Sequence, residues 1–298
     1  MSFHSFSVQF RTCVRAALSL TVLVAAATAL MIASDHGDSP VGFAGPRVDA
    51  NISDLHAFVV GQNLVLAIST NTGIPPSATS YVFPTDVTFE IHIDNDMAVS
   101  SNDPNGDGGT IMVPDRIQED VTFRIGFNDD GSVKLQRLGK NGQGAADAGV
   151  VNFFAGLRDD PFIRGPRQGR NVGSIVLEVP LASVLAKQSA LLIWATTKVD
   201  DFDGPMQEIT GRSLKSMFPE NALYNTMQPR HHQRRMGKTP DVMIYNTALP
   251  AAFPNGRALT DDVVDLVGDN RVLANDTPFP STNDKPFLST FPYLATPH

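Results

Sequence analysis

The feature that most constrains this fold is an alternation of period two. Val87, Phe89, Ile91 and Ile93 alternate with Thr88, Glu90, His92 and Asp94. Val121, Phe123, Ile125 and Phe127 alternate with Thr122, Arg124 and Gly126. Successive side chains of a strand point to opposite faces, so each run has one apolar face and one polar face. Asp130-Gly131 marks a hairpin turn, and Val133 and Leu135 resume the pattern after it. Leu64, Leu66 and Ile68 form another such strand, as do Ile175, Leu177 and Val179. Residues 190–197, ALLIWATT, are largely apolar throughout and fit a central strand. Punctuation by 21 prolines and 23 glycines makes the connections turns and long loops. The predicted fold is mainly β: an antiparallel β-sandwich with long loops and a few short helices.

Helical signals are few. Residues 181–186 follow Pro180 and fit one or two turns, and residues 207–218 are ambiguous. Thr260 before Asp261, Asp262 and VVDLVG reads as an N-cap with acids in the first turn.

The first 33 residues read as an export leader. Arg11 and Arg15 precede a charge-free apolar run over 16–33, and Ala27-Thr28-Ala29 suits cleavage. An uncleaved N-terminal anchor is the alternative, since about 18 apolar residues just span a bilayer. The expected location is therefore exported, periplasmic or extracellular, with residues 34–298 as one β-sandwich domain. The last thirty residues, rich in Pro, Thr and Asn, are expected to wrap over its surface. The only cysteine, Cys13, lies in the leader, so the remainder has no disulfide, thiolate nucleophile or Cys-ligated zinc. Without the two leader arginines the net charge falls from −8 to −10. An acidic surface argues against nucleic acid, and against a membrane as partner other than through an uncleaved leader.

Several segments together resemble a bacterial exported family known as domain of unknown function 4331. They are SDHGDSP (34–40), DANISDLHAF (49–58), FEIHIDND (89–96), FFAGLRDDPF (153–162), SIVLEVPLASVL (174–185), WATT (194–197) and FPNGRALTDDVVD (253–265). The resemblance implies an exported bacterial protein and carries across no catalytic residue. This sequence departs from the family pattern at His56, where an aromatic is usual. It departs again after Asp94-Asn95-Asp96, where Met97 stands in place of glycine.

Three segments are candidate sites. Asp103, Asn105 and Asp107 with Gly108 spell D-x-N-x-D-G, the opening of a calcium loop. Pro114 stands where an EF-hand needs its bidentate Glu, which excludes that motif. Two readings remain: a non-helical Ca2+ loop completed by Asp94 or Asp96, or a hairpin tip whose residues serve turn geometry. If cleavage follows Ala33, the chain starts Ser34-Asp35-His36, which can encircle Cu2+ or a similar transition metal through His36. Asp49, Asn51, Asp54 and His56 form a third polar group. They either hold a cation or ligand, with His36 and Asp38, or hydrogen-bond one another beside a strand. Asp159 and Asp160 are adjacent on a strand and so face opposite ways. No phosphate loop, nucleophile elbow or H-E-x-x-H is present.

These observations support three function classes. The leading one is a binding module for a divalent cation or small ligand. The second is a metal-dependent hydrolase or oxidoreductase using His36, His56 and the nearby aspartates. The third is a cell-surface interaction protein.

Overall fold

In the computed structural model, the described residues are 47–144, 147–163, 169–200, 208–212, 219–266 and 280–298. Residues 1–33, expected from their sequence to be a leader, lie outside them, as do His36 and Asp38. Strand β1 (Ile52–Val60) returns as β2 (Asn63–Ile74) through Gly61-Gln62. Gly61 has φ +62°, as the first central residue of a tight hairpin turn requires. β2 pairs with β9 (Asn171–Pro180), and β9 with β8 (Asn152–Asp159), so sheet A runs β1-β2-β9-β8. Sheet B centres on β3 (Val87–Asp94), flanked by β6 (Val121–Phe127) and β10 (Ala190–Val199). β7 (Val133–Gly139) extends it beyond β6, while β11 (Glu208–Thr210) and β12 (Met243–Asn246) share the far edge of β10. Every pairing is antiparallel. Two short strands, β4 (Val99–Ser100) and β5 (Thr110–Ile111), close a small hairpin between β3 and β6.

The core lies between the sheets, where the alternation put it. Leu55, Ala57, Leu64, Leu66, Ile68, Ile175 and Leu177 of sheet A meet Phe89, Ile91, Ile93, Phe123, Ile125 and Ile193 of sheet B. The Asp130-Gly131 turn forms as expected, with Gly131 at φ +78° and the Asp130 carboxylate accepting from the Ser132 amide.

The polar faces do not meet water as a two-layer sandwich would have them do. On sheet B, Leu192 and Trp194 of β10, with Ile244 of β12 beside them, pack with Met97, Ile111, Ile117, Tyr224 and Val242. On sheet A, Val65, Ala67 and Val176 are covered by Leu259 and Leu294, with Phe287, Phe291 and Tyr293 packed around them. His92 and Asp94, expected on a solvated face, are therefore buried.

The helices are short. α1 (Leu181–Val184) follows Pro180 as expected. α2 (His232–Met236) ends on Gly237 at φ +66°. α3 (Val263–Leu266) is capped by Asp262, whose Oδ1 accepts from the Asp265 amide, so the cap falls two residues after Thr260. Asp261 serves another turn, accepting from the amides of Phe253 and Ala258.

Candidate functional site

The outer face of sheet A carries a row of small polar residues straight across the four strands. Register aligns Asp54 with Ser69, Ser69 with Ser174, and Ser174 with Gly156. Asp54 reaches that face through a β-bulge. The register of β1 shifts between Ile52 and Asp54, so Ile52 and Leu55 both face the core and Asp54 turns outward. His56 follows on the same face, opposite Ala67.

The turn at residues 253–257 brings Arg257 to this row. Arg257 exchanges two backbone hydrogen bonds with Ala57, each 3.1 Å. Gly256, at φ +69°, lets the turn approach closely: a Cβ there would stand 2.8 Å from the Tyr245 ring and 2.9 Å from the Ala57 carbonyl oxygen. The guanidinium Nη2 then lies 2.6 Å from Asp54 Oδ1, with side chains only 1% and 0% exposed. Asp160 closes the group; burial first, then the Asp54 carboxylate, raises its pKa well above the usual range. Burial and then the charge of Arg257 hold His56 well below its ordinary value, so its imidazole is neutral at pH 7.

This centre is short of hydrogen bonds. Among the described residues neither ring nitrogen of His56 has a partner, nor do the hydroxyls of Ser69 and Ser174 or Nε of Arg257. Buried polar atoms are overwhelmingly bonded in folded proteins, and each exception costs about 1–3 kcal/mol. Several exceptions gather on this one face, beside Ser69, Ser174 and Gly156.

The chain matches no family model, no curated protein and no solved structure.

The group expected at Asp49, Asn51, Asp54 and His56 is split. Asp54 and His56 enter the polar centre. The Asp49 carboxylate instead takes the Arg47 guanidinium at 2.8 and 3.0 Å, and Arg47 also binds Asp86 at 2.7 and 2.9 Å. Asn51 is buried. The physical reason is twofold: Asp49 lies in a 3-10 turn (Val48–Ala50) ahead of β1, and the bulge turns Asp54 to the outer face.

In the D-x-N-x-D-G loop both aspartates already have protein partners. Asp103 accepts from the amides of Asp107 (2.6 Å) and Gly108 (2.8 Å), and Asp107 pairs with the buried Arg212. Asn105 is exposed. Asp94 and Asp96 form a separate group with Asp120, which sequence reasoning did not single out. Asp94 accepts from the amides of Asp96, Met97 and Gln118, yet burial outweighs these bonds and its pKa is pushed up to about 6. The Lys140 ammonium lies 3.1 Å from Asp96 and 2.9 Å from Asp120, in the position a cation would take.

Arg257, Ser69, Ser174 and Asp160 were not assigned to a site from sequence. The serines left little signal: Ser69 opens the polar run Ser-Thr-Asn-Thr of β2, and Ser174 shares β9 with Asn171 and Glu178.

Proposed function

We propose that this is an exported binding module that holds a small polar molecule at the Asp54–His56–Arg257 centre on the outer face of sheet A. The observation that supports the reading is the fully buried His56 with both ring nitrogens unbonded, beside a buried Arg257–Asp54 pair. The charges at the centre are largely offset: Arg257 faces Asp54, burial and the Asp54 charge favour the protonated form of Asp160, and burial favours the neutral form of His56. An ion entering so dry a place would meet no counter-charge, and burying an uncompensated charge is very costly. The ligand class is therefore compact and uncharged overall, carrying hydroxyl or carbonyl groups for the serines, the imidazole and Arg257 Nε. Three of the segments that resemble the exported family, at 49–58, 153–162 and 253–265, supply Asp54, His56, Asp160 and Arg257.

One observation favours a second reading. Asp160 and Asp54 are neighbouring carboxylates whose surroundings differ, one protonated and one paired with arginine, and such pairs can divide acid and base roles.

Native mass spectrometry on protein purified from its own host under non-denaturing conditions tests the binding reading. The expected result is a small-molecule adduct that is absent from Arg257→Ala and His56→Phe proteins. A protein without adduct, whose crystal structure shows ordered waters alone satisfying His56, Ser69 and Ser174, would remove it.

A further inference from the structure

A second cluster lies at the end of β8, on the other side of the Asp159-Asp160 pair. Register sets Asp159 opposite Asn171, and both are buried. Asn171 Oδ1 accepts the His298 backbone amide at 2.9 Å, and the Lys285 ammonium binds the Pro297 carbonyl at 2.6 Å. These two bonds fix the backbone of His298, so its imidazole is positioned rather than trailing. Nε2 of that imidazole stands 2.9 Å from Asp159 Oδ1 and 3.4 Å from Asp284 Oδ2. Asp284 is oriented in turn by the Gly169 amide, at 2.5 Å, and the other Asp159 oxygen is held by Asn283 at 2.6 Å.

Asp159 Oδ1 is the telling atom. Its side chain is only 1% exposed, and among the described residues it accepts no hydrogen bond of acceptable direction despite the 2.9 Å contact with His298 Nε2. With the imidazole proton on Nδ1, the Nε2 lone pair and this oxygen can share a cation instead of a proton. A divalent first-row metal holds nitrogen at about 2.0–2.1 Å and carboxylate oxygen at about 2.0–2.2 Å. Neighbouring ligands at tetrahedral to octahedral angles then stand roughly 2.9–3.5 Å apart. Both Nε2–oxygen distances fall in that interval, and the three ligand atoms lie within 4.8 Å of one another.

We propose that Asp159, Asp284 and His298 form a site for a divalent transition metal of the zinc class, with the remaining coordination left to water. One imidazole and two carboxylates suit zinc, whereas calcium prefers six or more oxygens. The metal would also act as a clasp. Residues 280–298 cross the outer face of sheet A, where Leu294 and Ala295 are buried and Phe287, Phe291 and Tyr293 pack. Joining His298 to Asp159 ties that layer to β8. The inference is independent of the ligand reading above, since it uses no residue of the Asp54 centre.

The test is calorimetric titration of the chelator-treated full chain with Zn2+ near pH 7.5, with Ca2+ in parallel. Zinc is expected to bind with one equivalent assignable to this site, to raise the Tm, and to protect residues 280–298 from proteolysis. His298→Ala and Asp284→Asn are expected to weaken that equivalent at least tenfold and to abolish the protection. Both side chains are partly exposed, so the variants keep the fold, and circular dichroism verifies it. Zinc binding and protection unchanged in His298→Ala would overturn the proposal. So would a wild-type chain that takes no zinc, or one that takes Ca2+ equally well. A His298→Ala protein that is less stable yet identical in its response to zinc would reduce the cluster to a plain ion pair.

Discussion

His92 and His56 occupy the same kind of position on the two sheets, and their surroundings differ in one respect. Each lies on the outer face of a strand, and each is buried by a second layer of chain. His92 is fully engaged: Nδ1 meets the Thr122 hydroxyl at 3.1 Å, Nε2 meets the Thr196 hydroxyl at 2.8 Å, and the ring stacks on Trp194 with centroids 5.1 Å apart. His56 has no hydrogen bond at either nitrogen among the described residues and faces Arg257. The same residue in the same pattern is thus a finished structural element on sheet B and an open one on sheet A. Burial does not distinguish the two histidines; the hydrogen bonds they make do.

The largest expected effect tests the charge pair that makes sheet A different. Arg257→Met leaves Asp54 charged and dry, and urea denaturation should show a loss of about 3–5 kcal/mol. The double variant Asp54→Leu with Arg257→Met should recover most of it, because a buried pair replaced whole by apolar groups is close to neutral. A loss under about 1 kcal/mol in the single variant would mean that water reaches the centre, and the contrast with sheet B would weaken.

The histidines themselves come next. His92→Leu strands two threonine hydroxyls and removes a stacked ring, at a cost of about 2 kcal/mol. His56→Leu breaks no hydrogen bond and should change stability by less than about 1 kcal/mol, while removing the small-molecule adduct. Equal losses in the two variants would show that the fold depends on His56 as much as on His92.

How much of this was legible in the sequence follows from how local each cause is. The alternation in 87–94 and 121–127 reflects strand sterics, which every residue feels from its own neighbours, so strands, facing and the 130–131 turn could be read directly. The second layers could not, because what covers Trp194 or Val176 comes from distant parts of the chain. For the same reason FEIHID and SDLHAF look alike on paper: Thr122 and Thr196 reach His92 through register, and Arg257 reaches Asp54 through a glycine turn far along the chain. The bulge at Ser53 was invisible as well, so Asp49, Asn51, Asp54 and His56 looked like one group. In the D-x-N-x-D-G loop the residue types were read correctly, but Arg212, the partner of Asp107, could not be seen.

A smaller effect comes from pH. Both histidines have lowered pKa values in the fold, by burial chiefly in each case. Above about pH 6.5 they are neutral whether folded or not and contribute nothing. Below it the unfolded chain binds protons that the folded chain refuses, so each histidine lowers stability with falling pH, with a limiting slope of about 1.4 kcal/mol per pH unit. Asp94 and Asp159, both pushed up to about 6, act in the opposite sense. They take protons in the fold before they do in the unfolded chain, so stability rises as pH falls from about 6 towards 4. Asp160 acts in the same sense as these two, so the wild-type curve sums opposing contributions and the informative quantity is a difference. His56→Leu and His92→Leu should each gain Tm relative to wild type between about pH 6.5 and 5. If only His92→Leu gains, His56 takes up a proton in the fold and its surroundings are wetter than their burial implies.

The smallest expected effect concerns the loop end of sheet B, where a cation is already present as part of the chain. Lys140 is 46% exposed, so its bonds to Asp96 and Asp120 are screened, and Lys140→Ala should cost on the order of 0.5 kcal/mol. Its consequence for metal binding should be larger. Removing the ammonium leaves Asp94, Asp96 and Asp120 as a compact carboxylate group, of which Asp94 is fixed by three backbone amides. Calcium should then raise the Tm of Lys140→Ala more than that of wild type, in a melting experiment at several millimolar Ca2+. An equal rise in the two proteins would place calcium elsewhere, with the 103–108 loop the next place to mutate. No rise in either would mean that the amides alone satisfy these carboxylates, making this end of the sheet as closed as the His92 pocket.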